Sequence, residues 1–338
     1  FSRVFVVALP DRTDKRDAMS LAASLTGIKF DWIDGVNGEL IPEKAIPEGW
    51  PKDETPHTLG CWRGHMNAVQ TQEQISSALI LEDDADWDVT LKSQLIEFAR
   101  GTRFLQESST QSDLSRSGGS EPTSPYGDDW DLLWLGHCGT RNREDEDQKY
   151  YVIHDDPTAV PQHLWGYPRR QPNLTPAALR GQNSRVVYSP VRGLCMFGYA
   201  LSLRGAQRLL YHQSISGHAA VSDRALQRIC NSRFMGFKCF APYPTLIGTH
   251  KAAGVTAKDS DREDTSKARG GFREVAETGQ IVYSTRLNME RLMMGNQSVR
   301  SQWPKETKME EIDRTLTLPR GQGVWVTKDQ YEPFERPN

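Results

Sequence analysis

The chain has 338 residues, enough for one large α/β domain or a two-lobed enzyme with a sizeable buried core. Its apolar share of 37%, with 27 glycines besides, is that of a soluble globular protein and excludes disorder throughout. A net charge of −3 supplies no global basic field for nucleic acid or an anionic membrane surface, and no stretch approaches the ~18 consecutive apolar residues of a spanning helix.

Phe1 rather than Met opens the chain, two residues before an apolar run, so an N-terminal signal or membrane anchor is expected to have been removed. Val4 to Leu9 (VFVVAL) reads as a fully buried strand stopped by Pro10. Thr13 and Asp14 offer helix-start chemistry, Ala18, Leu21, Ala22 and Leu25 recur at helical spacing, and Gly27 ends the helix. Lys29 to Val36 alternates like a strand, Gly60 to about Ser76 reads as a second helix, and Ala78 to Leu81 is a short strand running straight into acidic residues. This strand, helix, strand, helix, strand order predicts an α/β fold with a parallel sheet, whose ligands sit beyond the carboxyl ends of the strands.

From Gln106 to Gly127 the composition turns to Ser, Thr, Gly and Pro, which reads as a mobile surface insertion too polar to bury. Asp131 to Leu135 (DLLWL) is another buried strand. Further strands are expected within Arg185 to Leu203, and short helices at about 202–212 and 222–230. The expected division is a main domain over 1–264 and a C-terminal extension over 265–338 packed on or near it. Cys61, Cys138, Cys195, Cys230 and Cys239 form no close pair of metal-ligand spacing, so a ribbon- or finger-type zinc site is not expected. They suit either two bridges and one free thiol or five reduced thiols. Two glycosylation sequons, at Asn173 and Asn296, are about what chance provides.

The sharpest chemical feature is Glu82-Asp83-Asp84-Ala85-Asp86, four carboxylates at the end of a buried strand. Like charges this close raise one another's pKa unless a cation screens them. An all-oxygen cluster suits a hard divalent ion, Mg²⁺ or Mn²⁺, with positions left for phosphate oxygens; a solvated charge run is the bland alternative. The loop Pro10-Asp11-Arg12-Thr13-Asp14-Lys15-Arg16 brings three cations to a helix start, where anions are favoured. No P-loop and no dinucleotide fingerprint occurs, and no nucleophile elbow of a serine hydrolase. His65, near a helix start, reads as a buried, hydrogen-bonded histidine; Asp223 as a first-turn acid matching a helix dipole.

Taken in order, Pro10 to Arg16, Trp32-Ile33-Asp34-Gly35-Val36, Leu59-Gly60 to His65, Leu81-Glu82-Asp83-Asp84, Asp131 to Gly136, and Tyr199-Ala200-Leu201-Ser202 with Gly205-Ala206 resemble glycosyltransferase family 25, its fungal branch most of all. The series spans Val4 to His250. Gly64 stands where many members carry Ser. The resemblance implies a GT-A type fold, a Rossmann-like nucleotide-binding sheet fused to an acceptor-binding half. It also implies a divalent metal, Mn²⁺ or Mg²⁺, and inverting transfer of a hexose, galactose favoured, from a UDP-sugar to a hydroxyl of a glycan or glycoprotein. Carried over to this chain, Asp84 is the implied metal ligand, with Asp86 a second ligand and His250 completing the shell. Glu82 and Asp83 fall nearer the ribose, Asp34 and Gly35 near base and ribose, and Pro10, Arg12, Lys15 and Arg16 at the nucleotide. Asp223 falls where the catalytic base is expected. The family's eukaryotic members imply the Golgi lumen, with a membrane link only through a missing N-terminal anchor. Two rival readings are a non-catalytic carbohydrate-binding relative and a metal-dependent nucleotidyl or phosphoryl transferase.

Overall fold

The strand read from VFVVAL is β1 (Arg3–Ala8), and its alternate side chains enter different cores, Phe5 one and Val6 the other. In the computed structural model, which describes residues 1–72, 74–107, 122–261 and 271–333, β1 lies parallel between β2 (Asp31–Asp34) and β3 (Ser77–Glu82). Helix α1 (Thr13–Thr26) joins the first two strands and ends at Gly27, whose φ of 65° is the left-handed closure glycine favours. Helix α2 spans Pro56–Thr71 and so starts before Gly60: the Thr55 hydroxyl accepts from the Thr58 amide, and Pro56 fills the first helical position.

The chain continues through β4 (Ala85–Trp87), α3 (Leu91–Gln106), β5 (Leu132–Gly136), β6 (Gly139–Arg141), β7 (Gln148–Ile153), β8 (Arg185–Tyr188), β9 (Val191–Leu194), β10 (Gly198–Ser202), β11 (Cys239–Tyr243) and β12 (Ile247–Lys251). Helices Leu203–Ser214 and Ser222–Ser232 lie between β10 and β11. The central sheet has nine strands, in the order of a late strand Gln322–Val326, then β7, β8, β11, β5, β10, β3, β1 and β2. Helices α1 and α3 pack on one face through Met19, Ala22 and Phe98. On the other face lie α2, with Trp62 and Met66, and the two later helices, with Leu209 and Ile229. Cover on both faces explains why the central strands read as unbroken apolar runs.

The expected parallel sheet holds for β1, β2 and β3 and for β5 with β11, but β10 runs antiparallel between β3 and β5, and β7 and β8 also pair antiparallel. The segment 137–197 contains no α-helix, and without helical crossovers its strands are free to pair antiparallel. A mixed α/β fold results.

Two other expectations change. Residues 108–121 of the expected insertion lie outside the described residues, but its end is not a polar surface: Tyr126 is buried and stacks on Phe1 with ring centroids 4.6 Å apart. The described residues 271–333 are part of the same frame as the strands before them. Strand Gln322–Val326 forms the sheet edge against β7, and strand Glu277–Thr278 joins β12 and β4 in a three-stranded sheet. Among the described residues, no helix is long and apolar enough to cross a membrane.

The register explains where a site can form. Ala8 pairs with Asp34, and Val7 with Glu82, so β1, β2 and β3 end together; Gly198, at the start of β10, pairs with Leu81 on one side and Gly136 on the other. This shared edge is the binding edge of an α/β sheet.

Candidate functional site

Two clefts open at this edge, of about 570 Å³ and 690 Å³, and share the wall residues Cys61, Glu82, Asp84, Asp259 and Ser260. The first is lined by Pro10, Arg12 and Lys15 after β1, Gly35 after β2, His65 on α2, and Glu82 to Asp84. The second is lined by Asp223, Tyr167, Thr249, Lys251, Trp303 and both cysteines of the Cys138–Cys195 disulfide. Close backbone contact shapes the first cleft: a Cβ at Gly60 would come within 2.2 Å of the Val36 carbonyl oxygen, so only glycine lets α2 approach the turn after β2.

Asp84 lies where the two clefts meet. The chain turns there into β4, which pairs with β12, so the His250 amide donates to the Asp84 carbonyl (2.8 Å) and the Thr249 hydroxyl to Asp84 Oδ2 (3.2 Å). The other carboxylate oxygen, Oδ1, is buried and has no hydrogen-bond partner among the described residues. Burial, then repulsion from Glu82, push this carboxyl up to about 7 against the pull of Lys15. Burial likewise raises Asp83, although Lys15 Nζ sits 3.2 Å from its carboxylate.

Lys15 is itself held by acids. Burial lowers its pKa, but Asp83, Asp84 and Asp261 outweigh that and the net direction is up. The Asp261 carboxylate bridges two cations, accepting from Lys15 Nζ at 2.7 Å and from Arg12, which also pairs with Asp14 at 2.9 Å. An anion therefore already sits on the cations of the first loop. Beneath the acidic turn, the buried Arg286 guanidinium donates to the Asp83 carbonyl oxygen (2.8 Å). Burial lowers its pKa, and the charges of Asp86, Asp84 and Asp83 oppose that shift.

His65 is buried and hydrogen-bonded, with Nδ1 3.2 Å from the Tyr199 hydroxyl, as its sequence reading held; it also faces the first cleft, Nε2 lying 3.5 Å from Glu82. Burial disfavours its charged form, but hydrogen bonds to Cys61 and Glu82 prevail and raise it to about 9. Asp223, at the start of its helix, lines the second cleft; its carboxylate accepts from the Cys195 amide (3.2 Å) and from the Arg224 amide (2.8 Å).

Four expected site residues are not brought to the clefts. Asp86 is fully buried with both oxygens occupied: Oδ1 accepts from the amides of Trp87 (2.8 Å) and Arg286 (3.2 Å), Oδ2 from the hydroxyls of Thr278 (2.7 Å) and Ser284. It is a structural anchor, with no lone pair left to face an ion. His250 alternates with Thr249 along β12 and turns to Thr278 Oγ1 at 3.2 Å, so Thr249 is the residue that reaches Asp84. Arg16 donates to the carbonyls of Ala8 and Leu9 (3.2 Å each), lies over the Trp32 ring and pairs with Asp34, whose side chain is 69% exposed. Both residues brace the end of β1 from outside. One sequon changes too: Asn173 is buried, donating to Glu144 (3.0 Å) and the Glu332 carbonyl (3.1 Å), so its amide is not free for modification.

Asp84 is the position that fits a hard divalent ion: its buried Oδ1 has no partner among the described residues, where a cation would supply one, although Glu82, Asp83 and Asp84 do not converge there as a set of three donors. Asp86 and His250 do not belong to that donor set. Compared with models of known protein families the chain gives no match, and it matches no curated protein.

Several site residues were not singled out from sequence. Asp261, Thr249 and Arg286 carried no local signal: Thr249 and Arg286 reach the acidic turn, and Asp261 reaches Lys15, across more than 160 positions. Cys61 carried one, its four-residue spacing to His65 on a helix, which sets both on one face.

Proposed function

We propose that this chain is a metal-dependent inverting glycosyltransferase of the GT-A type, resembling family 25. It would move a hexose, galactose favoured, from a UDP-sugar to a hydroxyl of a glycan or glycoprotein and form a β-linkage. The observation that carries this reading is the meeting of two clefts at Asp84, one bearing Arg12 and Lys15 and the other the Asp223 carboxylate. A nucleoside diphosphate suits the first and an acceptor hydroxyl the second. Both clefts sit at the sheet edge where α/β folds bind ligands, and the sequence carries no P-loop glycines, which supports the GT-A reading over a P-loop one.

In this reading Lys15 and Arg12 exchange the Asp261 carboxylate for the diphosphate of the donor. Asp84, with Glu82 and Asp83 next to it in the turn, would hold a divalent ion, which would supply charge stabilisation to the departing UDP. Asp223, steadied by the Cys195 amide, takes the proton of the acceptor hydroxyl as the oxygen attacks the anomeric carbon opposite the leaving group. One displacement inverts that carbon. The disulfides Cys138–Cys195 and Cys230–Cys239 support an oxidising compartment, in keeping with the Golgi lumen.

The test is a panel of nucleotide sugars with Mn²⁺ or Mg²⁺, scored for binding and slow hydrolysis. Binding selective for one UDP-hexose, lost with EDTA and in Asp84→Asn, is the expected outcome. A folded protein that binds none of them removes the transferase reading in favour of a carbohydrate-binding module. Nucleoside triphosphate consumption without a sugar nucleotide favours the phosphoryl-transfer alternative.

A further inference from the structure

We propose a second metal site in the wall between the clefts, made by Cys61, His65 and Glu82 and suited to a borderline-soft divalent ion of the Zn²⁺ class. Each residue offers one ligand atom, and the three atoms lie within 4.8 Å of one another. Ligands around a tetrahedral zinc ion, at bond lengths of about 2.0–2.3 Å, stand roughly 3.5 Å apart, so side-chain shifts of about an ångström close the set.

Three features organise these residues for a metal. Cys61 and His65 are four residues apart on α2, while Glu82 comes from the end of β3, so the donors come from two elements packed in the core. The imidazole is already oriented: Nε2 faces Glu82 at 3.5 Å, and Nδ1 sits 3.2 Å from the hydroxyl of the fully buried Tyr199. A histidine that ligates through one nitrogen and is fixed by a partner on the other is the usual arrangement at protein metal sites. Finally, Cys61 is a free thiol, the other four cysteines being paired, and it is half-buried beside the clefts rather than sealed in a core.

Donor chemistry separates this site from Asp84. Sulfur, imidazole and one carboxylate select zinc or cobalt, whereas a carboxylate such as Asp84, with no sulfur or imidazole donor, suits magnesium or manganese. Three protein ligands also leave a coordination position for water or an incoming group. The inference does not depend on the glycosyltransferase reading, because it uses no substrate.

Cobalt titration of the purified full chain, disulfides intact, tests it. One equivalent of Co²⁺ should give thiolate-to-cobalt charge-transfer absorption in the near ultraviolet together with intense visible bands of low coordination number, and Zn²⁺ should bleach both. Cys61→Ser should abolish the charge-transfer band and weaken Zn²⁺ binding by at least about 100-fold, beyond what loss of an outer-shell partner costs. Asp84→Asn should leave the band intact. If Cys61→Ser does not fold, Glu82→Gln gives the second reading, with Zn²⁺ affinity reduced and the visible bands shifted. Absence of the charge-transfer band at stoichiometric Co²⁺, or Zn²⁺ affinity unchanged in the folded variants, overturns the proposal and leaves the trio as a hydrogen-bonded thiol, imidazole and carboxylate.

Discussion

The two clefts differ in how they are built. The first takes about half of its lining from short loops that follow β1, β2 and β3, whose ends the parallel register brings together, and the rest mainly from α2 and from 259–261. The second is assembled from pieces as distant as His137, Asp223 and Trp303, and one of its walls is a disulfide. Chemistry follows construction: the first has a pair of cations held over an acidic turn, the second an acid that a disulfide-bonded backbone amide holds in place. Neighbouring loops thus bring the first cleft's cations and acids together, while the second cleft is built largely by long-range contacts.

The strongest way to break this contrast is Asp223→Asn. If the second cleft holds the base, turnover falls by about 10³-fold, within the roughly 10²–10⁴-fold range of general-base catalysis, while metal-dependent UDP binding is unchanged. Steady-state kinetics and calorimetry on the same preparation check both halves. Full turnover removes Asp223 as base, and loss of UDP binding joins the two clefts into one functional unit.

A smaller effect is expected within the first cleft. Asp261 competes with any incoming phosphate for Arg12 and Lys15. Its side chain is 28% exposed, so the competition is worth about what a partly solvated ion pair is, ~1 kcal/mol or less. Asp261→Asn should therefore tighten UDP binding by about threefold to fivefold in a calorimetric titration. Weaker binding would mean that Asp261 positions the cations instead of occupying their ligand's place.

The clefts also differ in how far they could be read from sequence. β1, α1 and β3 were legible because apolar spacing and Gly27 are local signals, and the acidic turn after β3 was legible for the same reason. Which carboxylate faces the cleft was not. Asp84 and Asp86 are equivalent by composition, and they are separated by the strand alternation of β4 and by hydroxyls at Thr278 and Ser284, about 190 residues away. The family resemblance implies His250 as a metal ligand, yet alternation on β12 gives Thr249 the contact with Asp84. Disulfide pairing, the antiparallel β10 and the integration of residues 277–326 into the sheet and second cleft all depend on partners that no local pattern names.

Ligand-free stability should carry the signature of the shared wall. In the folded chain Asp84 stays protonated up to about pH 7, whereas its unfolded counterpart ionises at 3.8, so the native state holds the extra proton between those values. Stability therefore falls as pH rises through that window. His65 extends the fall: the native imidazole keeps its proton to about pH 9, the unfolded one releases it near 6.5, and the stabilisation present below 6.5 is lost by 9. Thermal midpoints in EDTA should drop by several degrees from pH 5 to 9, and Asp84→Asn should flatten the acidic part of that slope. Because buried His137 and His212, whose pKa values are lowered to about 4, push stability the other way below pH 6.5, the check is the difference between parent and variant: an acidic slope unchanged in Asp84→Asn would contradict the Asp84 assignment.

The smallest expected effect is the sharpest test of where the first cleft ends. The family resemblance draws Asp34 toward the base and ribose, yet its carboxylate is 69% exposed and paired with Arg16, which in turn holds the carbonyls of Ala8 and Leu9. An exposed pair of this kind contributes about 0–1 kcal/mol, and the neighbouring Gly35, not Asp34, lines the cleft. Asp34→Asn should then leave UDP affinity within about twofold of the parent and lower the thermal midpoint only slightly. A tenfold loss of UDP affinity, with the fold intact by circular dichroism, would mean that the Arg16–Asp34 pair opens when nucleotide enters. The cleft boundary would then move outward past β2, and the first cleft would share the second's dependence on side chains that local register does not fix.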